Sequence, residues 1–107
     1  MNRVRREIVR NIRYATDTGL IILSFALEEL PNDILPLQNA LNTLTLSEME
    51  IIITRSLFDL THNTRRVYTL NDLSVFEAPL LQTIGLQEVI ISRTDHEDHV
   101  HLEYRWI

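Results

Sequence analysis

The sequence lacks both cysteine and lysine across its 107 residues. Without cysteine, the chain cannot form a disulfide framework, a thiolate nucleophile or a cysteine-ligated metal site. All ten positive charges are arginines, although lysine is normally among the commonest residues in proteins. Three alternative explanations fit this absence: a genomic bias toward arginine, selection against amines that can be acylated, and deliberate replacement of lysine by arginine.

Turn-forming residues are also scarce, with only two glycines and three prolines. This scarcity favours helices over most of the length and excludes a glycine-rich phosphate-binding loop. The longest apolar run, Leu20–Leu27, is interrupted by Ser24 and is too short to cross a bilayer. The N-terminal stretch is charged and amphipathic, unlike a secretory signal peptide. We therefore expect one soluble, cytoplasmic domain over residues 1–107, with no membrane contact and no cofactor.

The net charge of −5 is distributed unevenly along the chain. Residues 1–13 carry five arginines against one glutamate, a net charge of +4, and residues 14–107 carry five arginines against fourteen acids, a net charge of −9. A basic segment on an acidic body predicts contact with an anionic partner or with the body of a second copy. The overall acidity argues against a general nucleic-acid binder, which is normally basic.

The N-terminal segment is predicted to be a basic amphipathic helix over residues 1–15. Four apolar residues recur in it at helical spacing: Val4, Ile8, Ile12 and Ala15. On such a helix the opposite face is basic and consists of Arg3, Arg6, Arg10 and Arg13. These four arginines, together with Arg65 and Arg66, are the predicted residues for binding a partner or a phosphate group.

Residues 16–61 are predicted to form a helical core. The segment that ends before Pro31 is apolar nearly all round, and a helix of that composition requires burial inside the domain or in a dimer interface. A third helix is predicted to start at Asn32 or Asp33, with Pro36 in its first turn, where proline is tolerated.

The fourth predicted helix has the clearest start signal in the chain. Thr45 with Glu48, and Ser47 with Glu50, both have the spacing of a capping box. The apolar residues that follow define one buried face, which consists of Met49, Ile52, Ile53, Ser56, Leu57 and Leu60.

Residues 62–107 are predicted to contain short helices and a C-terminal hairpin. The segment Val67–Thr69 favours a strand, Thr69 with Asp72 repeats the capping-box spacing, and Leu80–Ile84 is a brief helix that ends at Gly85. The period then changes from 3.6 to 2. Four residues alternate on the inner face of the last strand, namely Val100, Leu102, Tyr104 and Trp106, and four on its outer face, namely His99, His101, Glu103 and Arg105.

These elements predict an α+β domain that is mainly helical, with about four helices, two short helical segments and a C-terminal β-hairpin. The order of elements over residues 46–107 resembles that of a winged-helix unit. A helical bundle capped by a hairpin is the competing arrangement. The sequence contains no internal repeat.

The sequence predicts a non-catalytic protein, because no serine lies in a strand–turn–helix nucleophile motif and the carboxylates are spread over helix faces and caps. His96, His99 and His101 have side chains suited to Zn²⁺ or Ni²⁺, so a metal-responsive protein is one alternative. Short histidine-rich tracts also occur without any physiological metal, and no metal site is assigned.

The favoured function is a regulatory or adaptor module that binds another protein and forms a homodimer. A small winged-helix-like DNA-binding regulator that uses the N-terminal arginine face is the first alternative. It is less favoured because the predicted reading helix and the wing tip, Asp95–Asp98, are acidic or neutral and would not attract phosphate. An acidic inhibitor or immunity-type protein is a further alternative, based on net charge.

Overall fold

A computed structural model describes residues 6–29 and 32–106 and contains a mixed five-stranded β-sheet with three short helices. About 40% of the chain is strand and about 30% is helix. The prediction of a mainly helical domain is therefore wrong. The predicted helices that failed lie in the first third of the chain, where two long strands stand instead.

The elements follow the order β1 (Glu7–Thr16), β2 (Gly19–Leu27), α1 (Leu35–Asn42), α2 (Leu46–Asp59), β3 (Arg65–Thr69), a 3₁₀ turn (Leu70–Asp72), α3 (Ala78–Gln82), β4 (Glu88–Asp95) and β5 (His99–Trp106). The strands lie in the order β1-β2-β5-β4-β3 across the sheet. Both hairpins are antiparallel, and the central pair, β2 and β5, is parallel.

The predicted basic helix over residues 1–15 is wrong where the structure describes it, because Glu7–Thr16 is strand β1. A β-bulge hides the alternation of this strand: Ile8 pairs with Ala26 and Arg10 with Phe25, so Val9 is an extra residue between two pairs. The residues of β1 that pack against the core are Val9, Ile12 and Tyr14. The extra residue sets the first two of them three positions apart instead of two, so the period of a strand is broken.

The predicted helical core over residues 16–61 is wrong in its first part, because Gly19–Leu27 is strand β2. This strand lies between β1 and β5. Its residues from Leu23 to Leu27 are all buried, and a strand buried on both sides reads as a continuous apolar run. Such a run has no period that distinguishes it from a buried helix.

The elements predicted after residue 32 are present, but two of them have other bounds. α1 begins at Leu35 rather than at Asn32 or Asp33, and α3 spans Ala78–Gln82 rather than Leu80–Ile84. The Thr45 side chain accepts a hydrogen bond from the Glu48 backbone N–H, and the Glu48 carboxylate accepts one from the Thr45 N–H, which completes the capping box of α2. In the same way, the Asp72 carboxylate accepts a hydrogen bond from the Thr69 backbone N–H. Gly85 has a φ of 76° just beyond α3, in the left-handed region that favours glycine.

The C-terminal hairpin forms as predicted, but the resemblance to a winged-helix unit is wrong. A wing is a hairpin at the margin of a small sheet, whereas β4 and β5 are both interior strands here. β5 pairs with β2 along its whole length, from His99 opposite Leu20 to Trp106 opposite Leu27. The hairpin is therefore the centre of the fold.

The helices cover one face of the sheet, and the hydrophobic core lies between the helices and that face. Three aromatic side chains occupy its centre: the Phe25 ring lies 5.3 Å from the Tyr104 ring and 5.8 Å from the Trp106 ring, measured between centroids. Leu37, Leu41 and Ile52 pack onto this cluster from α1 and α2. None of the helices in the described part of the chain is long and apolar enough to cross a membrane.

Candidate functional site

The second face of the sheet carries no helix in the part of the chain that the structure describes, and we call it the open face. Pairing of alternate residues places polar groups at its centre, because Asn11 lies opposite Ser24, Ser24 opposite Glu103, and Glu103 opposite Ser92. The predicted outer face of the last strand is part of this surface.

Ion pairs neutralise much of the charge on the open face. Arg6 forms a salt bridge with Glu103, so its side chain reaches from the start of β1 across β2 to β5. The Nε of Arg105 lies 3.0 Å from the Oε1 of Glu28. Two of the arginines on this surface therefore already have carboxylate partners within the chain.

The predicted arginine site is not assembled as a single surface. Arg3 lies outside the described residues, and Arg6 and Arg13 belong to the open face. Arg10 lies on the helix side, where its Nη1 donates to the Leu41 carbonyl oxygen at 2.8 Å. The helical spacing that aligned these arginines in the sequence does not apply to a strand, in which neighbouring positions face opposite sides.

Arg65 and Arg66 are also separated, because they are successive residues of edge strand β3. Arg65 lies on the open face opposite Ser92. Arg66 lies on the helix side, where its Nη1 is 3.1 Å from the Asp59 carboxylate and its guanidinium is 4.5 Å from the centroid of the Tyr68 ring. Their role in binding a partner or phosphate stays a prediction, without a shared surface to support it.

Ser24 and His101 are hydrogen-bonded across the open face, with 2.7 Å between Oγ and Nε2. Burial lowers the pKa of His101 below its ordinary value of 6.5, and the neighbouring charges of His96, His99 and Arg6 act in the same direction. Ser24 lies in the middle of a strand that is paired on both sides, so the adjacent backbone N–H groups belong to the ladder. This pair therefore has no backbone oxyanion hole of the kind that acyl transfer requires.

The three histidines considered for metal binding do not converge. The rings of His96 and His99 stack with centroids 4.4 Å apart, and His99 Nδ1 lies 2.7 Å from the Asp98 carboxylate. His101 turns instead to Ser24. Within residues 6–29 and 32–106, no three His, Asp or Glu side chains are arranged to hold a metal ion.

A buried charged cluster under the helices was not predicted from the sequence. Glu77 is fully buried and receives two hydrogen bonds from Arg55, at 2.6 and 3.0 Å, and one from the Tyr104 hydroxyl. Ser74 Oγ donates to the same carboxylate at 2.7 Å, and Arg55 also donates to the Tyr104 oxygen at 2.7 Å. This cluster joins α2, the segment before α3 and the central strand β5.

The electrostatics of this cluster favour the ion pair. Burial by itself would raise the pKa of the Glu77 carboxyl, but hydrogen bonds from Arg55 and Tyr104 outweigh that effect and hold its pKa below the ordinary value of 4.5. Burial also raises the pKa of the Tyr104 hydroxyl well above 10, so this group remains a neutral donor. The charged and hydroxyl groups of the cluster are paired with one another, and of their buried atoms only Arg55 Nε has no hydrogen-bond partner within the described residues. This mutual pairing fits a structural role.

Three large apolar side chains of α2 are exposed among the described residues: Leu46 at the first position of the helix, and Ile51 and Phe58 along its outer surface. Ile51 is 52% exposed and Phe58 is 82% exposed, whereas the predicted buried face of the same helix packs into the core. Ser47 and Thr54, both exposed, lie between and beside them. The sequence signal was available: Ile51 and Phe58 lie outside the buried face and are seven positions apart.

The fold and these surfaces define a small α+β domain with an apolar helix surface and with one sheet face that no helix of residues 6–29 and 32–106 covers. No family model, curated protein or solved structure matches this chain. Its function is therefore inferred from its own surfaces.

Proposed function

We propose that this chain is a non-catalytic protein-interaction module, of a regulatory or adaptor kind, that binds its partner through the outer surface of α2. The observation that carries this proposal is the exposure of Phe58 and Ile51 on a helix whose other face is fully buried. Large apolar residues that are exposed on the same surface of a helix are typical of a site that another protein covers.

The energetics support binding at this surface. Burying a phenylalanine side chain that was in water contributes about 1.5–3 kcal/mol. Phe58 is the more exposed of the two apolar residues, so it has the most to gain from a partner. Aromatic residues in such positions often supply a large share of the binding free energy.

A protein partner is better supported than a nucleic acid. The net charge is −5, and Arg6 and Arg105 on the open face are already paired with carboxylates. A sheet that binds single-stranded RNA usually presents exposed aromatic residues for base stacking, and the three core aromatics of this sheet are buried under the helices. We carry no second function forward, because the inhibitor and metal-responsive alternatives rest on net charge and histidine content alone.

The proposal is tested by affinity capture from the native host, with and without nuclease, using the wild-type chain and Phe58→Asp. We expect the wild type to retain a protein partner, either another copy of itself or a different protein, and Phe58→Asp to lose it. Val67→Asp is the matched control, because Val67 is also an exposed apolar residue but lies on edge strand β3. Circular dichroism would check that both variants are folded.

Three results would contradict the proposal. Equal capture by the wild type and Phe58→Asp would remove α2 from the interface. Loss of the captured partner with Val67→Asp but not with Phe58→Asp would show that the interface lies on the open face. Retention only of material that nuclease digests would indicate a nucleic-acid binder.

A further inference from the structure

The exposed residues of α2 form a regular seam. Ser47, Ile51, Thr54 and Phe58 are separated by four, three and four positions, which is the spacing of the a and d positions of a heptad repeat. All four are exposed, and they line one depression along the outer surface of the helix. We call these four residues the α2 seam.

The α2 seam alternates in size from one end to the other. Its order is small, large, small, large: Ser47, Ile51, Thr54, Phe58. If the same seam is placed against itself in the antiparallel direction, Ser47 meets Phe58 of the second copy and Ile51 meets Thr54. Every layer then joins one large side chain to one small one, as interdigitating packing requires. In a parallel arrangement Phe58 would meet Phe58 and Ser47 would meet Ser47.

Helix dipoles favour the same direction, because the dipoles of two packed helices attract when the helices are antiparallel. Glu48 and Arg55 add nothing to this preference. The Glu48 carboxylate already accepts from the Thr45 N–H, and Arg55 is already paired with the buried Glu77.

We propose that the occupant of the α2 seam is a second copy of this chain, packed antiparallel about a two-fold axis between positions 52 and 53. This inference rests on the proposed function and names its partner. Each copy uses the same patch, as a two-fold interface requires. α2 has 14 residues and is about 21 Å long, so this helix pair is smaller than a standard protein interface. The dimer is therefore concentration-dependent.

The register is tested by disulfide cross-linking, which the absence of native cysteine makes unambiguous. In Ser47→Cys/Phe58→Cys, the two thiols of one chain are about 16 Å apart along the helix, beyond the reach of a disulfide. The antiparallel dimer brings each thiol against its counterpart in the other copy. At a chain concentration high enough to offset the loss of Phe58, we expect mild oxidation to trap most of the chain as a covalent dimer. The single variants are the matched controls, since 47–47 and 58–58 pairs are also about 16 Å apart in this register.

Compensating substitutions test whether the partner is a copy of the chain. Phe58→Ser leaves two small residues in the outer layers, and Ser47→Phe forces two large ones together, so each alone is expected to weaken dimerisation at least tenfold. The double variant Ser47→Phe/Phe58→Ser restores one large and one small residue per layer and should recover most of the affinity. Sedimentation velocity over a range of concentrations measures this as a mass that rises from 12.6 kDa toward twice that value.

The outcomes separate this inference from the proposed function. A wild-type chain that stays at 12.6 kDa at every concentration, cross-linking of the double-cysteine variant no greater than that of the singles, or a double variant as weak as either single would each overturn the antiparallel dimer. If Phe58→Asp still loses a different captured protein, the proposed function survives and only the identity of the partner is wrong. If Phe58→Asp loses nothing, both proposals fail.

Discussion

Glu77 and Glu103 are two buried carboxylates on opposite sides of the sheet. Glu77 precedes α3 on the helix side and Glu103 belongs to β5 on the open face, and the two are paired with different kinds of partner. Glu77 is 0% exposed under the helices and binds Arg55, Tyr104 and Ser74. Glu103 is 6% exposed on the open face, where it pairs with Arg6, whose side chain is 45% exposed. Tyr104 contacts the first site and its chain neighbour, Glu103, forms the second.

The difference lies in the partner that each carboxylate would leave behind. Arg55 has a side chain only 22% exposed, so removing Glu77 would strand a cation with little access to water. Arg6 would simply return to solvent. Removing one partner of the buried Arg55–Glu77 pair is therefore expected to cost more free energy of unfolding than the intact pair contributes. The Arg6–Glu103 pair is expected to contribute little, because Arg6 is exposed to water.

The largest expected effect is that of Glu77→Gln, which leaves the Arg55 charge without its counter-ion. We expect a loss of about 3–5 kcal/mol in the free energy of unfolding, measured by urea denaturation. The double variant Arg55→Met/Glu77→Leu is the control, because it removes both charges and should lose less than the single variant. A loss below about 1 kcal/mol for Glu77→Gln would show that the cluster is solvated.

Tyr104→Phe is expected to have an intermediate effect. The hydroxyl donates to Glu77 and accepts from Arg55, so its removal leaves both groups with one partner fewer but keeps the ion pair. We expect about 1–3 kcal/mol in urea denaturation. Tyr14→Phe, on edge strand β1, is the matched control, because Tyr14 lies outside this cluster. Equal losses for the two variants would contradict a special role for the Tyr104 hydroxyl.

Glu103→Gln is expected to change the free energy of unfolding by only about 0–1 kcal/mol, since Arg6 is accessible to water. Its measurement under the same conditions as Glu77→Gln tests the comparison directly. A loss as large as that of Glu77→Gln would mean that the open face excludes water as the helix-covered face does, and the contrast between the two sites would be wrong.

The smallest expected effect is a change in the pH dependence of stability. The pKa of His101 is lowered in the folded chain from 6.5, so the unfolded chain takes up its proton at a higher pH than the folded chain. The contribution of neutral His101 is therefore complete above pH 6.5 and is lost as the pH falls toward the folded value.

His101→Gln tests this contribution, because glutamine can still hydrogen-bond to Ser24 but does not titrate. Unfolding is measured on both sides of pH 6.5, and the variant should show a shallower decline than the wild type. His62→Gln, an exposed histidine in the loop after α2, is the control. Identical slopes for the wild type and His101→Gln would contradict the prediction.

The parts of the fold that could be predicted are those whose signals lie within a few residues. The capping box of Thr45 and Glu48 spans one helical turn, Gly85 acts through its own φ, and the hairpin of β4 and β5 closes across a short turn. Each signal depends on neighbours in the chain, so tertiary context did not override it.

Strand β2 could not be predicted from local signals because one of its two partners, β5, lies at the other end of the chain. β2 pairs with β5, so Leu23 lies opposite Leu102. An apolar segment is stable as a helix or as a buried strand, and the choice depends on whether a second strand is present to bond its backbone. The bulge at Val9 removed the remaining signal in β1.

The candidate site shows the same division. The seam of Ser47, Ile51, Thr54 and Phe58 could have been read from its spacing, but the exposure of Phe58 depends on where the sheet lies. The cluster of Arg55, Glu77 and Tyr104 joins residues 22 and 49 positions apart. No local pattern links them.

The sequence by itself determined the caps, the turns, the charge balance and the alternation of the last two strands, because these follow from contacts within a few residues or from composition. Only the tertiary structure decided that Glu7–Thr16 and Gly19–Leu27 are strands, that the arginines are dispersed, and that Phe58 faces outward. The physical reason is that backbone hydrogen bonds and burial in a sheet are supplied by distant segments, whose approach the local sequence does not record.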